Sequence, residues 1–269
     1  MTTTSDDPLH LGGQIAFVSG AGQGAGRSIA LQLARHGAGG VAVNDFVEAR
    51  AAAVADEIRS LGVPAIAAPA DVGDYASVQA AMQKATRELG AVTLLVNNAG
   101  NAGPQASMGF APPFWESAPQ DWNRYFHTNL HGVMNCCHAA LPGMVAQNRG
   151  RIVTIVSDAG RVGEARLAAY SAAKAGAAGF MRALARETGR HGITANAVSL
   201  STLEPAMEPE QLQTFLASEQ AKAQLSRYVI RRYGQPDDVA LLVLFLCSEA
   251  ASWITGQTYP LNGGYSFAQ

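Results

Sequence analysis

The sequence predicts an α/β protein built on one doubly wound parallel sheet of about seven strands, with helices on both faces. Three observations predict it. Short apolar runs alternate with stretches of helical periodicity from residue 14 to residue 264, the pattern of repeated βαβ crossovers. The first apolar run ends in a glycine-rich turn, "SGAGQGAG" at 19–26, that opens a helix. No linker-like shift in composition and no repeat interrupts the chain, so residues 1–269 read as a single domain.

The elements follow in order. "QIAFVSG" is an apolar strand closed by glycine, and a helix runs from about Arg27 to His36. "GGVAVND" is a second strand, and "EARAAAVADEIRSLG" has helical periodicity with a terminal glycine. "AIAAPADV" is a strand, "VQAAMQKATRELG" a helix and "VTLLVNNAG" a fourth strand. A long helix covers 121–147, "GRIVTIVS" is a fifth strand, a long helix covers 170–190, and "GITANAVS" is a sixth strand. "PDDVALLVLFLCSE" is a helix and "GQTYPLNGG" the last strand. Three segments stand outside this alternation. Residues 1–10 read as a flexible start. Residues 101–119 form a Gly/Pro-rich loop, and 200–227 an insert with a helical section at 210–224. Long inserts in compact domains are commonly lids or substrate loops.

Composition narrows the function. Of the 269 residues 48% are hydrophobic and 15% charged, and the net charge is −2. This balance offers no surface for nucleic acid or for a membrane. The longest apolar run, Val239 to Cys247, is too short to span a bilayer. The start "MTTTSDDPLH" has no basic region followed by an apolar one, so a cytoplasmic location is expected. Cys136, Cys137 and Cys247 make neither a disulfide framework nor a zinc spacing.

The glycine turn is where a dinucleotide is expected. Gly20, Gly24 and Gly26 let the backbone turn tightly and approach a pyrophosphate, whose charge a helix N-terminus favours. Asp45, ending the second strand, either accepts hydrogen bonds from the ribose hydroxyls of NAD or only caps a loop. With no Arg or Lys in the glycine turn or directly after Asp45, NAD is expected over NADP, because the carboxylate would repel a 2′-phosphate. Asp71 and Val72, at the end of the third strand, are placed to meet the adenine.

The catalytic end is read from "YSAAK" at 170–174. Tyr170 and Lys174 lie one helical turn apart, either as a solvated pair or as a working one. Tyrosine is a poor base at neutral pH, and an adjacent ammonium favours its phenolate. Lys174 can also hold a nucleotide ribose while Tyr170 exchanges a proton with a substrate oxygen. Ser157 ends the fifth strand, at the carboxyl edge where such sheets bind ligands, and can hold that oxygen.

Taken together, "SGAGQGAG", "NNAG" (97–100), Asn129, Ser157, "YSAAK" and "LNGG" (261–264) resemble the short-chain dehydrogenase/reductase family. The likeness extends over nearly the whole chain, with 28 residues from Asn129 to Ser157 and 13 from Ser157 to Tyr170. The resemblance implies a single Rossmann-type domain, a small alcohol or ketone substrate, and a homotetramer or homodimer. It implies a tetrad of Asn129, Ser157, Tyr170 and Lys174, with Asn129 holding a relay water. It implies NAD contacts from Gly20, Gln23, Gly24, Ala25 and Gly26, from Asp45 and Phe46, from Asp71 and Val72, from Asn98, Ala99 and Gly100, and from Tyr170 and Lys174. "SDAGRVG" (157–163) is similar to the branch that oxidises hydroxyacyl-CoA thioesters, typified by 2-hydroxycyclohexanecarboxyl-CoA dehydrogenase. Steroid or sugar substrates, or a non-catalytic nucleotide sensor, are the alternatives.

One stretch departs from the family. "SLSTLEP" (199–205) carries Leu200-Ser201 where Pro-Gly is usual, and Pro205 where a threonine is expected. That leaves the holder of the nicotinamide amide open. His127, His131 and His138 share a helix side that either binds metal or, as the absence of a carboxylate or cysteine spacing favours, faces solvent or another subunit. No metal is expected. Arg161 and Arg166 either meet an anionic substrate or are solvated loop residues.

Overall fold

The computed structural model describes residues 7–100 and 112–267. In chain order the elements are β1 (Ile15–Val18), α1 (Gly24–Arg35), β2 (Gly40–Val43), α2 (Glu48–Ser60), β3 (Ala65–Ala67), α3 (Tyr75–Leu89) and β4 (Val92–Asn97). They continue through α4 (Pro119–Phe126), a π-helical turn (His127–His131), α5 (Gly132–Gln147), β5 (Gly150–Ser157), α6 (Ala159–Val162), α7 (Ala168–Thr188) and β6 (Ile193–Leu200). The last are α8 (Pro209–Ala217), α9 (Glu219–Leu225), α10 (Pro236–Cys247) and β7 (Thr258–Leu261). The seven strands form one parallel sheet in the order β3-β2-β1-β4-β5-β6-β7, a Rossmann-type arrangement as expected.

Side chains alternate across the sheet and feed two cores. Ala16 and Val18, Leu94 and Val96, and Val153 and Ile155 pack with α1, α2 and α10. Phe17, Leu95, Ile152 and Val156 pack with α3, α5 and α7 on the other face. Burial on both faces is why these strands read as unbroken apolar runs. β3 ends as a regular strand at Ala67, yet its contact with β2 runs on through Ala68 N to Val43 O at 2.9 Å and Ala70 N to Asp45 O at 3.3 Å. Asp74 caps α3, accepting from Ala76 N at 3.1 Å, and Gln235 with Asp238 forms a capping box on α10.

Three differences from the sequence reading bear on the site. The long helix expected at 121–147 contains a π-helical turn around Asn129, a local widening found often at functional positions. The expected 210–224 helix is two helices, because Ser218 is extended and its hydroxyl caps the second, accepting from Ala221 N at 3.2 Å. At the start, Leu9 packs on the first core and the His10 ring lies against Gly37. Residues 1–6 of the expected flexible start and 101–111 of the expected Gly/Pro-rich loop lie outside the described residues.

Candidate active site

β1 and β4 are adjacent while their crossovers run to opposite sides, so a crevice opens at their carboxyl ends. The glycine turn lines it. Gly20 has φ +61°, and a Cβ there would stand 2.8 Å from Ala99 Cα. A Cβ on Gly26 would stand 2.1 Å from the Gly20 carbonyl oxygen, so only glycine lets the turn close this tightly. Asn98 bolts the two strand ends together, its Nδ2 donating to Ser19 O at 3.0 Å and Gly20 O at 2.9 Å. The Ser19 hydroxyl accepts from Asn98 N and Ala99 N at 3.1 and 3.0 Å.

Asp45 stands beyond the end of β2, 4% exposed. Its Oδ2 accepts from Gly22 N at 3.1 Å, and its Oδ1 from Val47 N at 2.9 Å. Arg50, on the first turn of α2, also reaches Oδ1, through Nε at 3.1 Å and Nη2 at 2.7 Å, while its Nη1 donates to Gln23 Oε1 at 3.1 Å. Phe46 beside it is exposed. Asp71 accepts from Gly73 N at 2.9 Å and pairs with His127 Nε2 at 3.1 Å. Val72 is turned into the core, where a Cβ on Gly132 would meet its side chain at 2.6 Å; toward a ligand it therefore presents backbone rather than side chain. His138 meets the Tyr75 hydroxyl at 2.8 Å, and among the described residues no three metal-ligating side chains gather.

Asn129, Ser157, Tyr170 and Lys174 converge at the carboxyl edge. Lys174 is buried on α7, with Nζ donating to Ile155 O at 2.9 Å and lying 5.9 Å from the Tyr170 ring centre. A Cβ on Gly100 would stand 2.9 Å from that Nζ and 3.1 Å from Asn129 Oδ1, so "NNAG" borders the tetrad itself. Asn129 is fully buried, its Nδ2 donating to Tyr125 O at 2.9 Å, and the Tyr125 and Tyr170 rings meet edge to face. Burial lowers the Lys174 ammonium to about 8. Burial also raises the Tyr170 phenol above its usual value, with the hydrogen-bonded Ser157 hydroxyl opposing it. The sequence reading expects a phenol lowered by the lysine; in the protein alone desolvation raises it, with the Ser157 hydroxyl as the opposing influence.

Several residues at the site carry no local sequence signal. Asp158, 2% exposed, accepts from Arg161 and Ser199 through Oδ1 at 2.9 and 2.8 Å, and from Asn262 and Ser266 through Oδ2 at 2.6 and 2.9 Å. Arg161 is thus committed to Asp158 rather than held open for substrate. A Cβ on Gly160 would meet Lys174 and Ala175 at 2.8–2.9 Å, so this glycine lets α6 press on α7. The Tyr228 hydroxyl meets Ser201 Oγ at 2.6 Å and accepts from Thr202 N at 3.2 Å. That hydroxyl fixes the stretch where Pro-Gly is missing. Gly22 and Arg50 also went unread: Gly22 within a run already rich in glycine, Arg50 because it lies a helical turn past Asp45.

A parallel sheet with a glycine crevice and these four side chains at its edge defines the class of nicotinamide-dependent α/β oxidoreductases. Comparisons agree. Residues 20–266 match the family model described as enoyl-(acyl carrier protein) reductase. The 3-oxoacyl-[acyl-carrier-protein] reductase FabG of Staphylococcus aureus is 39% identical over 93% of this chain and 96% of its own. The 7alpha-hydroxysteroid dehydrogenase of Escherichia coli is 34% identical over 97% of both. A gluconate 5-dehydrogenase from Burkholderia cenocepacia, solved with NADP and tartrate, superposes with a TM-score of 0.84 at 30% identity, covering 96% of this chain and 97% of its own. The chain belongs to the short-chain dehydrogenase/reductase family, whose members interconvert alcohols and carbonyls using a nicotinamide cofactor. No helix among the described residues is long and apolar enough to cross a membrane.

Proposed function

We propose that this chain is an NAD-preferring oxidoreductase that interconverts a secondary alcohol and a ketone, with hydroxyacyl and oxoacyl thioesters as its substrate class. The observation that carries the reading is the buried Lys174, hydrogen-bonded to Ile155 O and set between Gly100, Asn129 and the Tyr170 ring. An ammonium is costly to bury without a task.

The residues fit the nucleotide: Gly20 and Gly26 let the turn close tightly on Ala99 and on its own carbonyl, Gly24 leaves open space beside it for a pyrophosphate, and Asp45 offers a carboxylate to the ribose. Gln23, Gly24 and Ala25 complete the turn, Phe46 and Asp71 with the Val72 backbone flank the adenine, and Asn98 and Ala99 line the adenosine side. When bound, the nucleotide supplies or takes the hydride. Tyr170 carries the proton. Its raised phenol holds that proton at neutral pH, which suits delivery to a ketone oxygen as the alcohol forms. Ser157 orients that oxygen. Lys174 holds the nicotinamide ribose and, while charged, favours the phenolate left behind. Asn129 holds a water through which the proton is replaced.

The thioester class is supported by the 39% identical acyl-carrier-protein reductase and by the likeness of 157–163 to hydroxyacyl-CoA dehydrogenases. We further propose a cytoplasmic homotetramer, or homodimer, with 200–227 as a lid over the substrate. A screen of secondary alcohols and of 3-oxoacyl and hydroxyacyl thioesters, following NADH absorbance with NADP run in parallel, tests this. Turnover confined to a steroid or a sugar would move the substrate class, and equal or better efficiency with NADP would overturn the NAD preference. Nucleotide binding with no turnover on any carbonyl would favour a sensor.

A further inference from the structure

We infer that Arg50 is a specificity-determining residue that admits a 2′-phosphorylated nucleotide beside Asp45, so that the site accepts NADPH as well as NADH. This rests on the proposed nucleotide site and deepens it. Asp45 alone would exclude NADPH, because a buried carboxylate repels a phosphate carried on the 2′-oxygen. Yet its charge is not alone. Arg50 places Nε and Nη2 on Oδ1 and Nη1 on Gln23 Oε1, and so spans the gap between the carboxylate and the glycine turn. Asp45 is almost fully buried, whereas the Arg50 side chain is 40% exposed, so the guanidinium forms the outer wall of the place where a ribose would meet the carboxylate.

Two consequences follow from the chemistry of the pair. The ion pair cancels the negative charge that would repel the phosphate. Of the five N–H donors of a guanidinium, three are engaged in these contacts, and those remaining can turn to a phosphate, whose oxygens match the guanidinium fork. A ribose diol needs only the carboxylate, with Oδ2 accepting a single backbone N–H. Arg50 therefore matters far more to NADPH than to NADH.

Equilibrium titration of NADPH and NADH against the full chain without substrate, read by nucleotide fluorescence, tests the assignment. Arg50→Gln should raise the Kd for NADPH at least about tenfold more than the Kd for NADH, the order of one charge-assisted contact. Arg50→Lys, which keeps the charge but not the fork, should recover only part of the loss, its ratio of the two constants falling between those of Arg50→Gln and wild type. Circular dichroism checks that both variants are folded. An unchanged ratio in Arg50→Gln, a lysine variant no better than the glutamine one, or a wild-type chain with no measurable NADPH binding would overturn the assignment. A chain that binds both nucleotides but reduces no carbonyl would instead fail the proposed function and leave Arg50 standing.

Discussion

Lys174 donates its buried ammonium to the Ile155 carbonyl oxygen at 2.9 Å, so the lysine is anchored to the sheet before any ligand arrives. Its folded-state value of about 8 lies below the ordinary 10.5. Between those values the unfolded chain binds the extra proton, and the folded state gains stability as pH rises. Urea midpoints should therefore show wild type gaining on Lys174→Met between pH 7 and 9.5. A constant difference would mean that Lys174 titrates normally. Ketone reduction should decline as pH rises through about 8, where the charge beside Tyr170 is lost. A break only above pH 10 would point to the tyrosine instead.

Tyr170→Phe keeps the ring against Tyr125 and removes only the exchangeable proton. Turnover should fall by about 10²–10⁴, the range for losing an acid–base group, with the NADH Kd unchanged. Near-normal turnover on the best substrate of the screen would remove the tyrosine from the reaction.

Gly100→Ala should act on chemistry rather than folding. Its Cβ would press on Lys174 Nζ and Asn129 Oδ1, both of which must shift to accommodate it. We expect kcat to drop at least about tenfold, since small misplacements of reacting groups carry costs of that order, with little change in the thermal midpoint. A fully active variant would show that the lysine can move freely.

Tyr228→Phe should loosen the base of the lid. The lost hydroxyl serves Ser201 and Thr202, and a cost of about 1 kcal/mol per hydrogen bond is expected. Hydrogen exchange at 201–205 should rise in the variant, whereas wild type should show protected amides there and exchange mainly at 206–218, slowed by nucleotide and substrate. Uniform protection of 200–227 in every state would make the insert a fixed wall.

The sheet was legible because its central strands, buried on both faces, are continuous apolar runs, and all seven expected strands formed. The glycine turn, the Tyr170–Lys174 pair and Ser157 could be read locally, from glycines after a strand, a one-turn helical spacing and a strand end, whereas Asn129 came only from the family resemblance. Arg50, Asp158 and Tyr228 were not legible. Each acts through partners set by tertiary folding: Asp158 meets Asn262 and Ser266 more than a hundred residues away, and no local period encodes such a contact. The behaviour of Tyr170 was also hidden, since its proton affinity depends on burial that composition does not report.

Asp158 follows Ser157 directly, yet its Oδ2 is held by Asn262 and Ser266. Residues near the end of the described chain are thus a structural member of the reaction centre, although they stand more than a hundred residues from Asp158 along the backbone. Trimming the chain before Asn262, or fusing a bulky tag closely behind Ser266, would disturb the serine from behind. An assay on a C-terminally shortened or tagged preparation would then register as lost catalysis what is in fact a severed tail.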